Sequence, residues 1–165
     1  MSRRLPTGEP SRLDLAGTIY GIILATALIA AFSQKDEVGP VTTFVAVMVS
    51  AVVFWLAHAY AHIVASGMVG REATSWVAVK EALVRQSPLV LGATPPALVL
   101  LATPLGLLSE ANAQSVAILM GIALLTAFGF IAARRQGAGV IGTIVLTTIS
   151  TGLGLVMVIL KFAVH

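Results

Sequence analysis

Residues 41–66 read VTTFVAVMVSAVVFWLAHAYAHIVAS, a run without a single Asp, Glu, Lys or Arg. A bilayer core about 30 Å thick is crossed by roughly 20 apolar residues of helix. This stretch is long enough to cross it. Working outward, four more runs read the same way. They are residues 15–33 (LAGTIYGIILATALIAAFS), 88–108, about 113–133, and 140–160. Five spans of about 20 residues leave short connections and no room for a soluble domain. The fold expected is all-α, a polytopic membrane protein of one domain with five transmembrane helices.

Composition agrees. Of 165 residues, 58% are hydrophobic and 10% charged, and the mean hydropathy is +0.98. A soluble domain carries about 25% charged residues. That excludes an ordinary soluble enzyme, a disordered chain and a nucleic-acid-binding domain. The net charge is only +3, so the basic pI does not revive nucleic acid as a partner. With no Cys, disulfides, Fe–S clusters and thiolate metal sites are excluded. The partner expected is the lipid bilayer.

Helix punctuation marks the boundaries. Ser11 and Asp14 have capping-box spacing before the first span. Gly39-Pro40 precedes the second, Ser87-Pro88 opens the third, and Gly137 and Gly139 precede the fifth. The third span, with Pro95 and Pro96 adjacent, loses two backbone donors and is expected to break there. The first span is longer than the apolar core of a signal peptide, so it reads as a membrane helix.

Basic residues set the orientation. Arg3, Arg4, Arg12, Arg71, Lys80, Arg85, Arg134 and Arg135 fall on one side of a five-span layout; Lys35 and Lys161 fall on the other. The N-terminus is therefore expected in the cytoplasm and the C-terminus outside, in a cell inner (plasma) membrane. Residues 71–86 (REATSWVAVKEALVRQ) have an amphipathic helical pattern. They form either a helix in the headgroup region, Trp side down, or a cytoplasmic extension of the second span.

No span carries an acidic or basic residue in its interior, which argues against a pump built on carboxylates. His58 and His62 are the candidates that remain. Their i, i+4 spacing puts both imidazoles on one helical face, with Trp55 three residues before His58. Such a pair can share one divalent transition metal ion, but cannot supply the two axial ligands of one haem. An imidazole also titrates close to neutral pH, which would make an ion path pH-sensitive. The alternative is that each His bonds a backbone carbonyl across a helix interface. His62 lies about four residues, roughly 6 Å, from the cytoplasmic edge, and His58 about eight, roughly 12 Å. Tyr20, Thr94, Pro95, Pro96, Thr147 and Thr151 fall at similar depth. A broken helix, two His, a Tyr and hydroxyls at one depth are expected to line a cytoplasm-facing polar cavity, or else to bond neighbouring helices. Gly17 and Gly21, and Ser150 and Gly154, have small-xxx-small spacing for close packing within one subunit or between two. No nucleotide-binding, hydrolase or zincin motif appears, and no nucleophile–base pair is visible, so an enzyme is not expected.

The layout resembles the vacuolar iron transporter family. LAGTIYGIILATALIAAFS is similar to its first helix, and GREATSWVAVKEALVRQSP to the connection after its second. LVLGATPPALVLLATPLGLLS resembles its Pro-containing third helix, and FIAARRQGAG its turn before the last. The resemblance covers most of the chain as a layout. It implies five membrane helices, a cytoplasmic N-terminus and dimers with the ion path between subunits. It departs at the ligands. The family's Asp of helix one would fall near Tyr20, and its acidic residue of helix two near His58 to His62. Of the Glu-rich extension only Glu72 and Glu81 are available. Iron transport is therefore not inherited, and His ligands would favour Zn²⁺, Ni²⁺, Cu²⁺ or Fe²⁺ over hard cations. The functions expected are a small transporter or channel-like protein with a His-centred site, or a structural membrane subunit whose polar residues bond helices.

Overall fold

The computed structural model describes residues 10–33, 38–65 and 75–163, with side chains for 15–33, 38–65, 75–156 and 159. Arg3, Arg4, Lys35, Ser66, Arg71 and Glu72 lie outside the described residues. The fold is all-α, with no strand among the described residues. Its helices are α1 (Pro10–Phe32), α2 (Pro40–Ala65), α3 (Trp76–Gln86), α4 (Pro88–Val99), α5 (Glu110–Arg135) and α6 (Val140–Ala163), with a 3₁₀ turn at Leu100–Ala102. Three segments are long and apolar enough to cross a membrane: Leu15–Phe32, Pro40–Ala65 and Glu110–Arg135. Pro88–Ala102 and Val140–Val156 are shorter apolar helices.

Helix α1 is the hub and packs on α4, α5, α2 and α6. Its tightest partner is α4, for a reason written in its glycines. A Cβ at Gly21 would overlap the Leu89 carbonyl oxygen, and one at Gly92 would overlap the Thr18 carbonyl. Backbone lies against backbone there, an approach only glycine allows. Gly17 faces Pro88, and Gly21 faces Leu89 and Ala93, so α1 and α4 run parallel. Helix α5 crosses α1 where Gly121 receives the Thr26 side chain, and α6 returns antiparallel along α5 with Ser150 against Gly129 and Gly154 against Ile122. Both small-xxx-small motifs are thus used inside one subunit. The common core is correspondingly lean. Ala25, Ala30, Ala51, Ala93, Ala97 and Ala117 fill it with Ile29, Val47, Leu89, Leu100 and Ile118.

Two boundaries correct the sequence reading. Helix α4 does not break at Pro95-Pro96; it stays α-helical to Val99, tightens into the 3₁₀ turn and ends in the turn containing Pro104 and Gly106. Leu89, Gly92, Ala93, Pro96 and Ala97 are buried against the neighbouring helices while Pro95 faces outward. Packing along that side holds the helix where the two missing donors would weaken it. The third apolar helix therefore stops at Ala102 and does not reach residue 108. Ser11 is not an N-cap, because it lies within α1. Helix α5 carries charges that suit its dipole, with Glu110 in its first turn and Arg134 and Arg135 in its last. Gly137, at φ +66°, turns the chain into α6.

The close crossing makes a prediction about substitution. Gly21→Val must push α4 away and is expected to cost more than the usual ~1–3 kcal/mol of overpacking, since the obstructing atoms are backbone. Gly152→Ala, where a Cβ would meet nothing within 4 Å, is expected to be neutral or to stabilise α6 by about 0.5–1 kcal/mol. Thermal unfolding of the purified protein in detergent separates the two.

Candidate functional site

The pair His58 and His62 sits in the second half of α2, and the fold gives its two members different surroundings. His58 is exposed beside Tyr20 of α1, while His62 is half-buried. The His58 ring lies 5.3 Å from the Tyr20 ring, centroid to centroid. Tyr20 also meets Phe54, edge-on at 6.2 Å. Sequence reading brought Tyr20 and His58 to one depth and missed Phe54, which is simply one turn before His58.

The His58 Nδ1 atom is 2.8 Å from the Phe54 carbonyl oxygen. A carbonyl only accepts, so Nδ1 carries the hydrogen in this contact. In the neutral ring, that leaves the lone pair on Nε2. This is the usual way in which a ligand imidazole is oriented. As for its capacity to hold a metal, the donor set is two imidazoles. Among the described residues no group of three or more His, Cys, Asp and Glu side chains comes together. Two nitrogens fit a transition metal whose remaining positions are filled from elsewhere.

Trp55 has a different task, and local chemistry explains it. Pro88 has no N–H to give the Val84 carbonyl four residues back. The Ser87 N–H (3.2 Å) and hydroxyl (2.8 Å) serve that carbonyl instead. The Leu83 carbonyl thereby loses its ordinary donor, Ser87 N–H, and the Trp55 indole N–H takes its place at 2.8 Å. Trp55 therefore clamps the end of α3 to α2. Ser87, expected as the N-cap of the third span, bonds backward into α3 and sits in a helical conformation.

The remaining candidates divide. Thr94 donates to the Val90 carbonyl of its own helix at 2.7 Å. Pro96 is buried and Pro95 exposed. Thr147 and Thr151 stand apart from the His pair, because α6 packs on α5 and α1, while α2 packs chiefly on α1, α3 and α4. There the Thr151 hydroxyl reaches Thr126 of α5 at 2.9 Å and also donates to the Thr147 carbonyl at 2.9 Å. The Thr147 hydroxyl is buried and has no hydrogen-bond partner. Tyr20, Trp55 and the two His are thus gathered around the second half of α2, whereas the α6 hydroxyls form a separate seam. Thr26 and Thr126 escaped sequence reading, as isolated Thr residues in apolar runs carry no signal until the facing helix is known.

Family models, curated proteins and solved structures were compared with the chain, and none matches.

The clamp is testable on its own. Trp55→Phe keeps the ring but leaves the Leu83 carbonyl without a donor, a loss of about 1–3 kcal/mol. Amide exchange is expected to rise over 76–86 and to stay unchanged in α1 and α5. Unchanged protection of α3 would show that Trp55 does not hold it.

Proposed function

We propose that this chain is a small multi-pass transporter or channel-like protein that handles a divalent transition metal ion or a proton through His58 and His62. The orientation of His58 carries the proposal. Its Nδ1 is committed to the Phe54 carbonyl at 2.8 Å, so Nε2 is the atom free to bind, one helical turn from His62. In this reading the substrate enters from the cytoplasmic side beside Tyr20. No reaction is catalysed. Five crossings, N-terminus inside and C-terminus outside, are this reading's topology: the parallel fit of α1 on α4 and the antiparallel fit of α5 on α6 agree with it, and Lys80, Arg85, Arg134 and Arg135 fall in connections it puts on one side. The reading takes the scaffold to be like that of the vacuolar iron transporters, with imidazoles in place of carboxylates. It places the protein in a cell inner membrane as a homodimer, because two imidazoles leave a tetrahedral metal ion half coordinated.

A second reading has its own support. Thr94, Ser150 and Thr151 donate to carbonyls of their own helices, and Thr126 donates to the Thr151 oxygen, bridging α5 to α6. That is what a structural membrane subunit with hydrogen-bonded helices would use.

Thermal stability across a divalent-metal panel decides between them. A metal at a hundredfold its Kd adds about 2.7 kcal/mol to the folded state. The expected result is a rise in midpoint for one or two transition metals, absent in His58→Ala/His62→Ala. No rise with any metal, together with loss of stability in the double variant, would leave the His pair structural.

A further inference from the structure

Helix α3 has three distinct sides. One is packed on the protein: Ala82 is buried, Val79 and Leu83 are half-buried, and the Leu83 carbonyl takes the Trp55 clamp. The second carries Trp76, Val77 and Val84, which are 75%, 72% and 63% exposed. At about 100° per residue, Lys80 projects between Trp76 and Val84 on that same side. Glu81 and Arg85 occupy the third. An exposed apolar side is ordinary on a helix that crosses lipid. Helix α3 does not cross it: with Lys80, Glu81 and Arg85 among its residues, it runs only about 16 Å at 1.5 Å per residue. Ser87, at φ −58° and ψ −27°, joins it to α4 with no loop between, and the apolar run of α4 starts at Pro88. The apolar side of α3 is therefore held beside the point where the membrane-embedded part of the fold begins.

We propose that this side of α3 docks on a leaflet containing anionic phospholipid, with Lys80 and Arg85 binding headgroup phosphates. The proposal is independent of the His pair. Trp76 suits the boundary between headgroup and acyl chain, and Val77 and Val84 supply the apolar contact beside it. Lys80 lies along the apolar strip with its stem and lifts its ammonium to the phosphate layer. Arg85, on the adjoining side, meets a phosphate with its planar fork, and Glu81 faces water. Charge decides the occupant. A protein partner seated on this strip would bury Lys80 in an apolar contact, whereas a phosphate layer meets the ammonium where it emerges.

The test uses the full chain. Reconstituted in vesicles of phosphatidylcholine with phosphatidylglycerol, Trp76 is expected to be quenched by acyl-brominated lipid and protected from aqueous iodide. The difference from Trp76→Phe isolates its signal from that of Trp55. In detergent, short-chain phosphatidylglycerol is expected to raise the thermal midpoint more than short-chain phosphatidylcholine. Lys80→Gln/Arg85→Gln should weaken that binding by roughly fivefold for each cation removed and leave the phosphatidylcholine response alone. Val77→Ser/Val84→Ser should reduce the brominated-lipid quenching. Quenching by iodide instead, or protection from both quenchers by a covering protein, overturns the proposal. So do an unchanged phosphatidylglycerol response in Lys80→Gln/Arg85→Gln, equal stabilisation by inorganic phosphate, and loss of the response only in Arg134→Gln/Arg135→Gln.

Discussion

The backbone contact of α1 with α4, made through Gly21 and Gly92, is the constraint to which the other helices conform. Two helices in lipid gain nothing from hiding apolar side chains from each other, since the lipid is equally apolar. They gain from dispersion over a close and extended fit. Glycine against carbonyl provides that fit at both crossing points. With α1 and α4 drawn so near, small side chains such as Ala25 and Ala93 suit the core around their crossing. The same contact holds α4 helical past Pro95 and Pro96.

With α1 occupied on one side by α4, its remaining sides take α2 and α5, and α6 closes over α5. This arrangement separates the polar residues into two places. The hydroxyls of Thr126, Ser150 and Thr151 form a seam between α5 and α6: Ser150 and Thr151 donate to carbonyls of their own helix, and Thr126 has both the Ile122 carbonyl and the Thr151 oxygen within reach. That is a low-cost way to keep a hydroxyl in a membrane helix, because its hydrogen never lacks an acceptor. The His pair lies apart from this seam on α2, with His58 in contact with Tyr20 and with the Phe54 carbonyl. A single polar cavity assembled from all of these residues is not what this packing favours. The chemistry left to the His pair is that of His58 Nε2, His62 and what a substrate brings with it.

Proline 88 links the two halves of this picture. Its missing N–H diverts Ser87 to Val84, exposes the Leu83 carbonyl, and so calls on Trp55. The clamp sits three residues from His58. The segment that ends α3 and the helix that bears the His pair are therefore one connected unit, and α3 is a surface element with a fixed seat on the rest of the molecule.

Run length and charge placement made the helices legible in the chain alone. Helices α2, α5 and α6 fall within a few residues of their apolar runs, and the helical spacing of His58 and His62 follows from their numbers. Those properties are local, set by rise per residue, by periodicity and by the cost of charge in lipid. The effect of Pro95 and Pro96 was not legible, because the penalty of a missing donor is local but the packing that outweighs it is supplied by α1, α2 and α5. Nor could Gly17 and Gly21 name their partner, since small-xxx-small spacing is indifferent to whether a neighbouring helix or a second copy comes close. Depth along the span placed Thr147 and Thr151 level with the His pair, but depth carries no azimuth. Only the packing, α6 on α5 and α1 but α2 chiefly on α1, α3 and α4, put the hydroxyl seam and the His pair in separate places.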